Sequence, residues 1–212
     1  MRLGPDNIVA VVLAFMSFFC GLGGAKNASE PVYTIGTLTI AGTGCPPNTV
    51  EAVTSSDATG VSVIFSAFQA STDGTRTRQR QSCNIAVPIQ AHPGQSIGLF
   101  KVDYRGYVYV PNIPEASASF SSEYFFAGQT GIKVKRKFNP GDEQDIFESN
   151  SINFQSIIWS PCGGSTNFRI NTAIAAVKPV NSHEDVLIMI DSADSTVKGS
   201  IQVAVATREC VV

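Results

Sequence analysis

A two-residue hydrophobic period recurs along this chain, and no long segment carries a helical one. Cys83, Ile85, Val87 and Ile89 alternate with Asn84, Ala86, Pro88 and Gln90. Ala118, Phe120, Tyr124 and Phe126 alternate with Ser117, Ser119, Ser121 and Glu123. Phe168, Ile170 and Ile174 alternate with Asn167, Arg169 and Asn171, and Ile201, Val203 and Val205 with smaller or polar partners. Successive side chains of a strand point to opposite faces, so each run reads as a strand with one face to a core and one to water. The unbroken apolar run Val186–Ile190 is expected to be covered on both faces. Turn residues punctuate the runs at Asp73-Gly74, Pro93-Gly94, Asn139-Pro140-Gly141-Asp142 and Asp191–Ser195, the last expected to close a hairpin. The 18 glycines and 11 prolines suit many turns. The expected fold is an all-β antiparallel sandwich or jelly roll, with about nine or ten strands on this spacing. No linker, low-complexity segment or internal repeat divides the chain.

Residues 1–25 read as a secretory signal peptide rather than as part of the fold. Arg2 precedes an apolar run from Ile8 to Phe19, and Gly23 and Ala25 stand where a signal peptidase cuts. The run is short for a membrane span, which needs about 20 apolar residues. Cys20 would leave with the signal, and Phe19 before it argues against a lipid-anchoring site. Asn27-Ala28-Ser29 is an N-glycosylation sequon just beyond the cut, so Asn27 is the expected glycan site. The net charge of −2 gives no global argument for nucleic acid or an anionic membrane.

Cys45, Cys83, Cys162 and Cys210 remain, an even number behind a signal peptide, which implies two disulfides in a secreted, extracellular protein. Three pairings are open. The one expected is Cys45–Cys162 with Cys83–Cys210, the second joining the start of one strand to the end of another. The cysteines are too dispersed for a zinc site, and His92 and His183 lie in loop-like contexts unsuited to a Cys–His pair. Ser156–Gly164 contains the single Trp and runs from strand-like to turn-like residues; it is expected to be a core strand, with Trp159 in the core, entering a cross-linked corner.

The landmarks occur in a definite order: Gly44-Cys45-Pro46, Val61–Phe68, Cys83-Asn84, Val102–Tyr107, Tyr124–Gly128, Trp159–Gly163, Phe168–Thr172, Asp191-Ser192 and Arg208-Glu209-Cys210. This set resembles an uncharacterised family of small secreted proteins catalogued as a domain of unknown function, over roughly residues 35–210. The resemblance implies a secreted, disulfide-bonded β domain and brings no catalytic residues. Phe168 stands where that pattern would place Leu.

Several constellations have residue types that could carry chemistry. Tyr104, Tyr107 and Tyr109 with Asp103 and Arg105 form an aromatic, polar strand that suits a sugar-binding surface, the rings stacking and the charges bonding hydroxyls. The plainer reading is a structural Asp103–Arg105 pair beside a bulge at Gly106. Asp185, Asp191 and Asp194 supply oxygens but no calcium-loop spacing, so an Asp-rich turn explains them better. Arg76, Arg78 and Arg80, and Lys133, Lys135 and Lys137 around Arg136, form basic stripes suited to acidic polysaccharide or, more plainly, to guarding sheet edges. Asp142, Glu143, Asp145 and Glu148 lie in one loop-like stretch with no sign of a cleft. There is no nucleophile elbow, dinucleotide fingerprint or phosphate loop. No enzyme, metal or cofactor is expected, and neither nucleic acid nor, after signal cleavage, a membrane is an expected partner.

The β-prone stretch Val32–Gly42 precedes the first structural cysteine. Residues 26–44 form either an arm with an ordinary first strand, or an arm whose strand completes a neighbour's sheet and so builds a homopolymer. The sequence-based expectation is a non-enzymatic filament, wall or surface-coat subunit. The alternative is a carbohydrate-binding module recognising extracellular polysaccharide.

Overall fold

The computed structural model describes residues 33–54, 60–151, 158–190 and 200–210. The signal segment, the arm to Pro31, Asn27, Ser156-Ile157 and the Asp191–Ser195 turn lie outside them. Thirteen strands, and no helix, occur among the described residues. They are β1 (Tyr33–Ile35), β2 (Thr39–Ala41), β3 (Val50–Thr54), β4 (Gly60–Phe65), β5 (Gln69–Ser71), β6 (Arg78–Ala91), β7 (Gln95–Tyr109), β8 (Ser117–Phe126), β9 (Ile132–Phe138), β10 (Glu143–Ser151), β11 (Gly164–Val177), β12 (Leu187–Met189) and β13 (Ser200–Glu209).

Every pairing is antiparallel, in two sheets. The six-stranded sheet runs β1-β6-β11-β8-β9, with β2 also on β6. The seven-stranded sheet runs β3-β4-β13-β7-β12-β5, with β10 on β7 as well. β7 is the axis of this second sheet: β10 pairs along Lys101–Tyr109, while β13 and then β12 share its other edge. Nine or ten strands were expected and thirteen are present. The surplus comes from β1, β2, β5 and β12, three residues each and too short to declare a period.

The alternations in β6, β8 and β11 point as the sequence predicts. Cys83, Ile85, Val87, Ile89, Phe120, Tyr124, Phe126, Phe168, Ile170 and Ile174 are all buried between the sheets. Tyr104 reaches from β7 into this core and meets Phe120 edge-on at 4.8 Å between ring centroids. Its hydroxyl lies 2.6 Å from Ser122 Oγ and 3.2 Å from Thr172 Oγ1, and accepts from the Tyr124 hydroxyl at 3.0 Å. A buried hydroxyl is costly without partners, so this cluster ties one sheet to the other at fixed positions. In the Val186–Ile190 run, Val186, Ile188 and Ile190 are buried and Leu187 and Met189 half-buried, so only one face is fully covered.

The Pro93-Gly94 turn carries the chain between sheets. His92–Gly94 leads from β6 in one sheet to β7 in the other, with Gly94 at φ 80° supplying the left-handed turn. Beside it, Pro161–Gly163 carries the chain back to β11. Gly163 N donates to Gln95 O at 2.8 Å and Cys210 N to Gly94 O at 2.7 Å, so Cys162 and Cys210 flank the same end of β7 and are joined, with Cα atoms 6.0 Å apart. The other disulfide is Cys45–Cys83, Cα atoms 5.5 Å apart. The expected Cys45–Cys162 and Cys83–Cys210 pairs are therefore corrected. The reason is that residues 42–45 run beside β6, with Gly44 N donating to Ser82 O at 2.9 Å, which brings Cys45 to Cys83.

The cross-linked corner is present, but Trp159 is not in the core. It is half-buried, bridges to Gly98, and lies under the Arg208 guanidinium, 4.2 Å from its ring. Gly106 makes no bulge; it pairs in register with Ile146, and a side chain there would collide with the Met189 carbonyl. The N-terminal strand lies along a sheet of its own chain. β1 pairs Tyr33–Ile35 with Ile89–Ala91 and β2 pairs Thr39–Ala41 with Asn84–Ala86, both on β6 of the same chain, and Tyr33 is buried. Within this chain it takes the ordinary first-strand place, one of the two arrangements the sequence leaves open.

Candidate functional site

The alternation of β7 divides the residues proposed for sugar binding. Val102, Tyr104 and Val108 face the core, whereas Asp103, Arg105, Tyr107 and Tyr109 face outward. Tyr104 is 0% exposed, so it leaves the candidate site and belongs to the core. Asp103 is on the outer face but only 9% exposed. Arg105 is exposed, and Tyr107 and Tyr109 are half-buried with their rings on the outer face.

The register of β10 adds Phe147, which the sequence reading did not select, and brings in Glu143 and Asp145. Phe147 lies opposite Arg105, Asp145 opposite Tyr107 and Glu143 opposite Tyr109. Phe147 is 57% exposed, a large apolar ring left in solvent, and the Arg105 guanidinium sits 5.3 Å from its centroid. Tyr107 donates its hydroxyl to Glu143 Oε1 at 2.9 Å. Desolvation first, and then that carboxylate, raise the Tyr107 phenol above its ordinary pKa and keep it a donor. On the other flank Met189 lies opposite Tyr107 and Leu187 opposite Tyr109. The result is a strip along β7 from Arg105 to Tyr109, about 13 Å at the usual strand rise, with carboxylates along one side.

Phe147 had a signal. Glu143, Asp145 and Phe147 share one phase of the β10 alternation and Gln144, Ile146 and Glu148 the other, so an aromatic stands in phase with the acidic residues. The polarity of the two phases is too mixed for that to announce itself.

The other candidates fall apart or serve structure. Glu148 turns inward and pairs with Arg136, which reaches across from β9 and also stacks on Phe138 at 4.8 Å. Asp142 accepts the Asn139 N–H at 2.7 Å in the turn between β9 and β10. Of the four acidic residues of that stretch, Glu143 and Asp145 thus share the outer strip, while Asp142 and Glu148 are engaged elsewhere. Asp185 holds the Lys178 ammonium at 2.6 Å, which Gly74 O also receives at 3.0 Å. That cation occupies the carboxylate which the calcium reading would have used; Asp191 and Asp194 lie outside the described residues. His183 is exposed, His92 is half-buried in the corner before β7, and the four cysteines among the described residues are all bonded to one another. Among the described residues no group of His, Cys, Asp and Glu is arranged to hold a metal ion.

Comparison with known proteins bears on all of this. A family model described as a domain of unknown function (DUF4360) matches residues 32–210. The chain belongs to that family. Among curated DUF4360 relatives is a protein of Arthroderma benhamiae described as an uncharacterized secreted protein, 30% identical over 186 residues, covering 85% of this chain and 74% of the relative. This DUF4360 protein is accordingly a secreted, extracellular, disulfide-bonded one. Solved structures give distant likenesses. TmCBM61, solved in complex with β-1,4-galactotriose, is 10% identical, with 82% of this chain and 88% of that one covered and a TM-score of 0.30. PfGH50B is 7% identical, with 82% and 23% covered and a TM-score of 0.22. Likenesses at these scores carry no argument about ligand or activity.

Proposed function

We propose that this protein is a secreted, non-enzymatic carbohydrate-binding protein that holds polysaccharide on the outer face of its seven-stranded sheet. The observation that supports this most is Phe147, left 57% exposed beside Arg105, Tyr107 and Tyr109. A sugar ring offers an apolar C–H face and a rim of hydroxyls. Phe147 and the two tyrosine rings suit the first, while Glu143, Asp145 and the Arg105 guanidinium suit the second. An aromatic surface of this kind binds partners that a purely charged edge would repel.

The test is affinity electrophoresis and pull-down on a panel of neutral polysaccharides, with the parent protein and Phe147→Ala, Tyr107→Ala and the double variant. Each aromatic contributes stacking worth about 1 kcal/mol or more, so a single variant is expected to weaken retention about fivefold or more. These outward residues leave the core intact, so folding is checked by an unchanged unfolding midpoint. Binding that is indifferent to both substitutions, or absent across the panel, overturns the reading.

A further inference from the structure

The opposite side of the molecule carries a different surface. On the outer face of the six-stranded sheet, the register lines up Arg80, Ala175, Ser119 and Lys137 in one row across β6, β11, β8 and β9. The next row is Ser82, Ala173, Ser121 and Lys135, and the next is Asn84, Asn171, Glu123 and Lys133. The central positions are small or amide side chains and the flanks are long cations. The surface is therefore a trough, which encloses about 490 Å³ between Arg80 on one side and Lys133 and Lys135 on the other. Arg78 extends the first flank. Three interstrand spacings separate the flanks, about 14 Å, and the cations follow one another along about 20 Å of strand.

We propose that this trough is a second binding site, for an extended anionic polysaccharide. Arg80, Lys133 and Lys135 line it, and Arg78 and Lys137 continue its two flanks, in a chain whose net charge is −2, so the rest of the molecule is net acidic. Its one carboxylate, Glu123, is engaged by Lys133 at 3.5 Å. Lysines on an edge strand discourage sheet-to-sheet pairing, which accounts for β9 taken alone. It does not account for a floor reduced to Ala and Ser, nor for arginines on the far flank facing the same trough. A single-stranded nucleic acid would need aromatic faces on which to stack its bases, and the floor between the cations offers Ala, Ser and Asn instead. A polymer of uronate or sulfated sugars needs only spaced cations and amides, Asn84 and Asn171, for its hydroxyls. This site rests on different residues from the aromatic strip and stands or falls separately.

The experiment is binding of the purified full-length secreted protein to polygalacturonate and dextran sulfate by isothermal calorimetry. A neutral glucan and single-stranded DNA are the controls, at several salt concentrations. The parent is expected to bind the two acidic polysaccharides, with affinity falling as salt rises because each neutralised charge releases counterions. Lys133→Gln/Lys135→Gln/Lys137→Gln is expected to lose about tenfold or more and to flatten the salt dependence, with Arg78→Gln/Arg80→Gln acting in the same direction. Phe147→Ala is expected to leave this binding unchanged. All substituted side chains are exposed, so the variants should unfold with the parent. No binding to either acidic polymer at low salt overturns the proposal. So does binding that survives both sets of substitutions, or single-stranded DNA bound as tightly as the polysaccharides.

Discussion

Tyr104→Phe is the sharpest test of how the two sheets are locked together. The substitution keeps the ring that packs edge-on against Phe120 and removes one oxygen. That oxygen sits at 2.6 Å from Ser122, 3.2 Å from Thr172 and 3.0 Å from the Tyr124 hydroxyl, in a side chain with 0% exposure. Each such bond contributes about 0.5–1.5 kcal/mol net. Ser122 and Thr172 remain bonded to each other at 3.0 Å, so the loss is less than three full bonds. The expected cost at pH 7 is about 2 kcal/mol, or about 4–8 °C in Tm for a domain of this size.

The same residue makes a second, independent claim. Burial, followed by the neighbouring Tyr124, pushes the Tyr104 phenol well above its ordinary range, while its hydrogen bonds to Ser122 and Thr172 pull the other way. A raised folded pKa means the native state keeps a proton that the unfolded chain releases near pH 10. The stability this represents is fully present below about pH 10 and is lost as pH rises towards the folded pKa. Linkage therefore makes the parent lose stability above about pH 10, a loss absent from the Phe variant. Urea unfolding of both proteins with disulfides intact should therefore show the gap between them, about 2 kcal/mol at pH 7, shrink as the pH is raised to 11. A gap under about 0.5 kcal/mol at pH 7 would refute the hydrogen-bond reasoning, and a gap independent of pH would refute the burial reasoning.

Two more predictions follow from the scaffold. Peptide mapping of the unreduced protein should yield Cys45–Cys83 and Cys162–Cys210 peptides only. Each bond spans 38 or 48 residues, so replacing either pair by Ala should cost about 4 kcal/mol in the chain-entropy model, measured by denaturant unfolding. Asp185→Ala should destabilise by about 1–2 kcal/mol, a figure reduced because Asp185 is half-exposed, since it strips the 4%-exposed Lys178 of its carboxylate. Lys178→Met should cost less, because it removes the charge instead of stranding it; equal effects of the two variants would contradict that account.

What the sequence made legible was the direction of side chains, and what it hid was which strands meet. The phases of β6, β8 and β11 could be read because polar and apolar residues separate cleanly there. In β7 tyrosines occupy both phases, so Tyr104 was grouped with Tyr107 and Tyr109 although one fills the core and two face out. Phe147 was hidden because its partner across the register, Arg105, is 42 residues away and only strand pairing brings them together. The disulfides went wrong for the same reason. Cys162 and Cys210 meet because both flank the Gln95 end of β7, a consequence of topology that no local spacing contains. The turns were located correctly, but a Pro-Gly turn looks the same whether it folds a hairpin or carries the chain between sheets.

The placement of the polar groups also bears on the choice between catalysis and binding. Catalysis by side chains needs acids, bases or nucleophiles aimed at one point within hydrogen-bond reach. Here the thiols are bonded, the buried hydroxyls of Tyr104, Ser122, Thr172 and Tyr124 satisfy one another, and Glu148 and Asp185 are matched to Arg136 and Lys178. The outward side chains of the two candidate surfaces lie on two sheet faces, where strand geometry repeats them about every 7 Å along a strand and every 4.8 Å across it. A repeating surface is best matched by a repeating ligand. One face carries rings and carboxylates and the other carries cations above a small-residue floor, so the polymers named in the two proposals differ in charge.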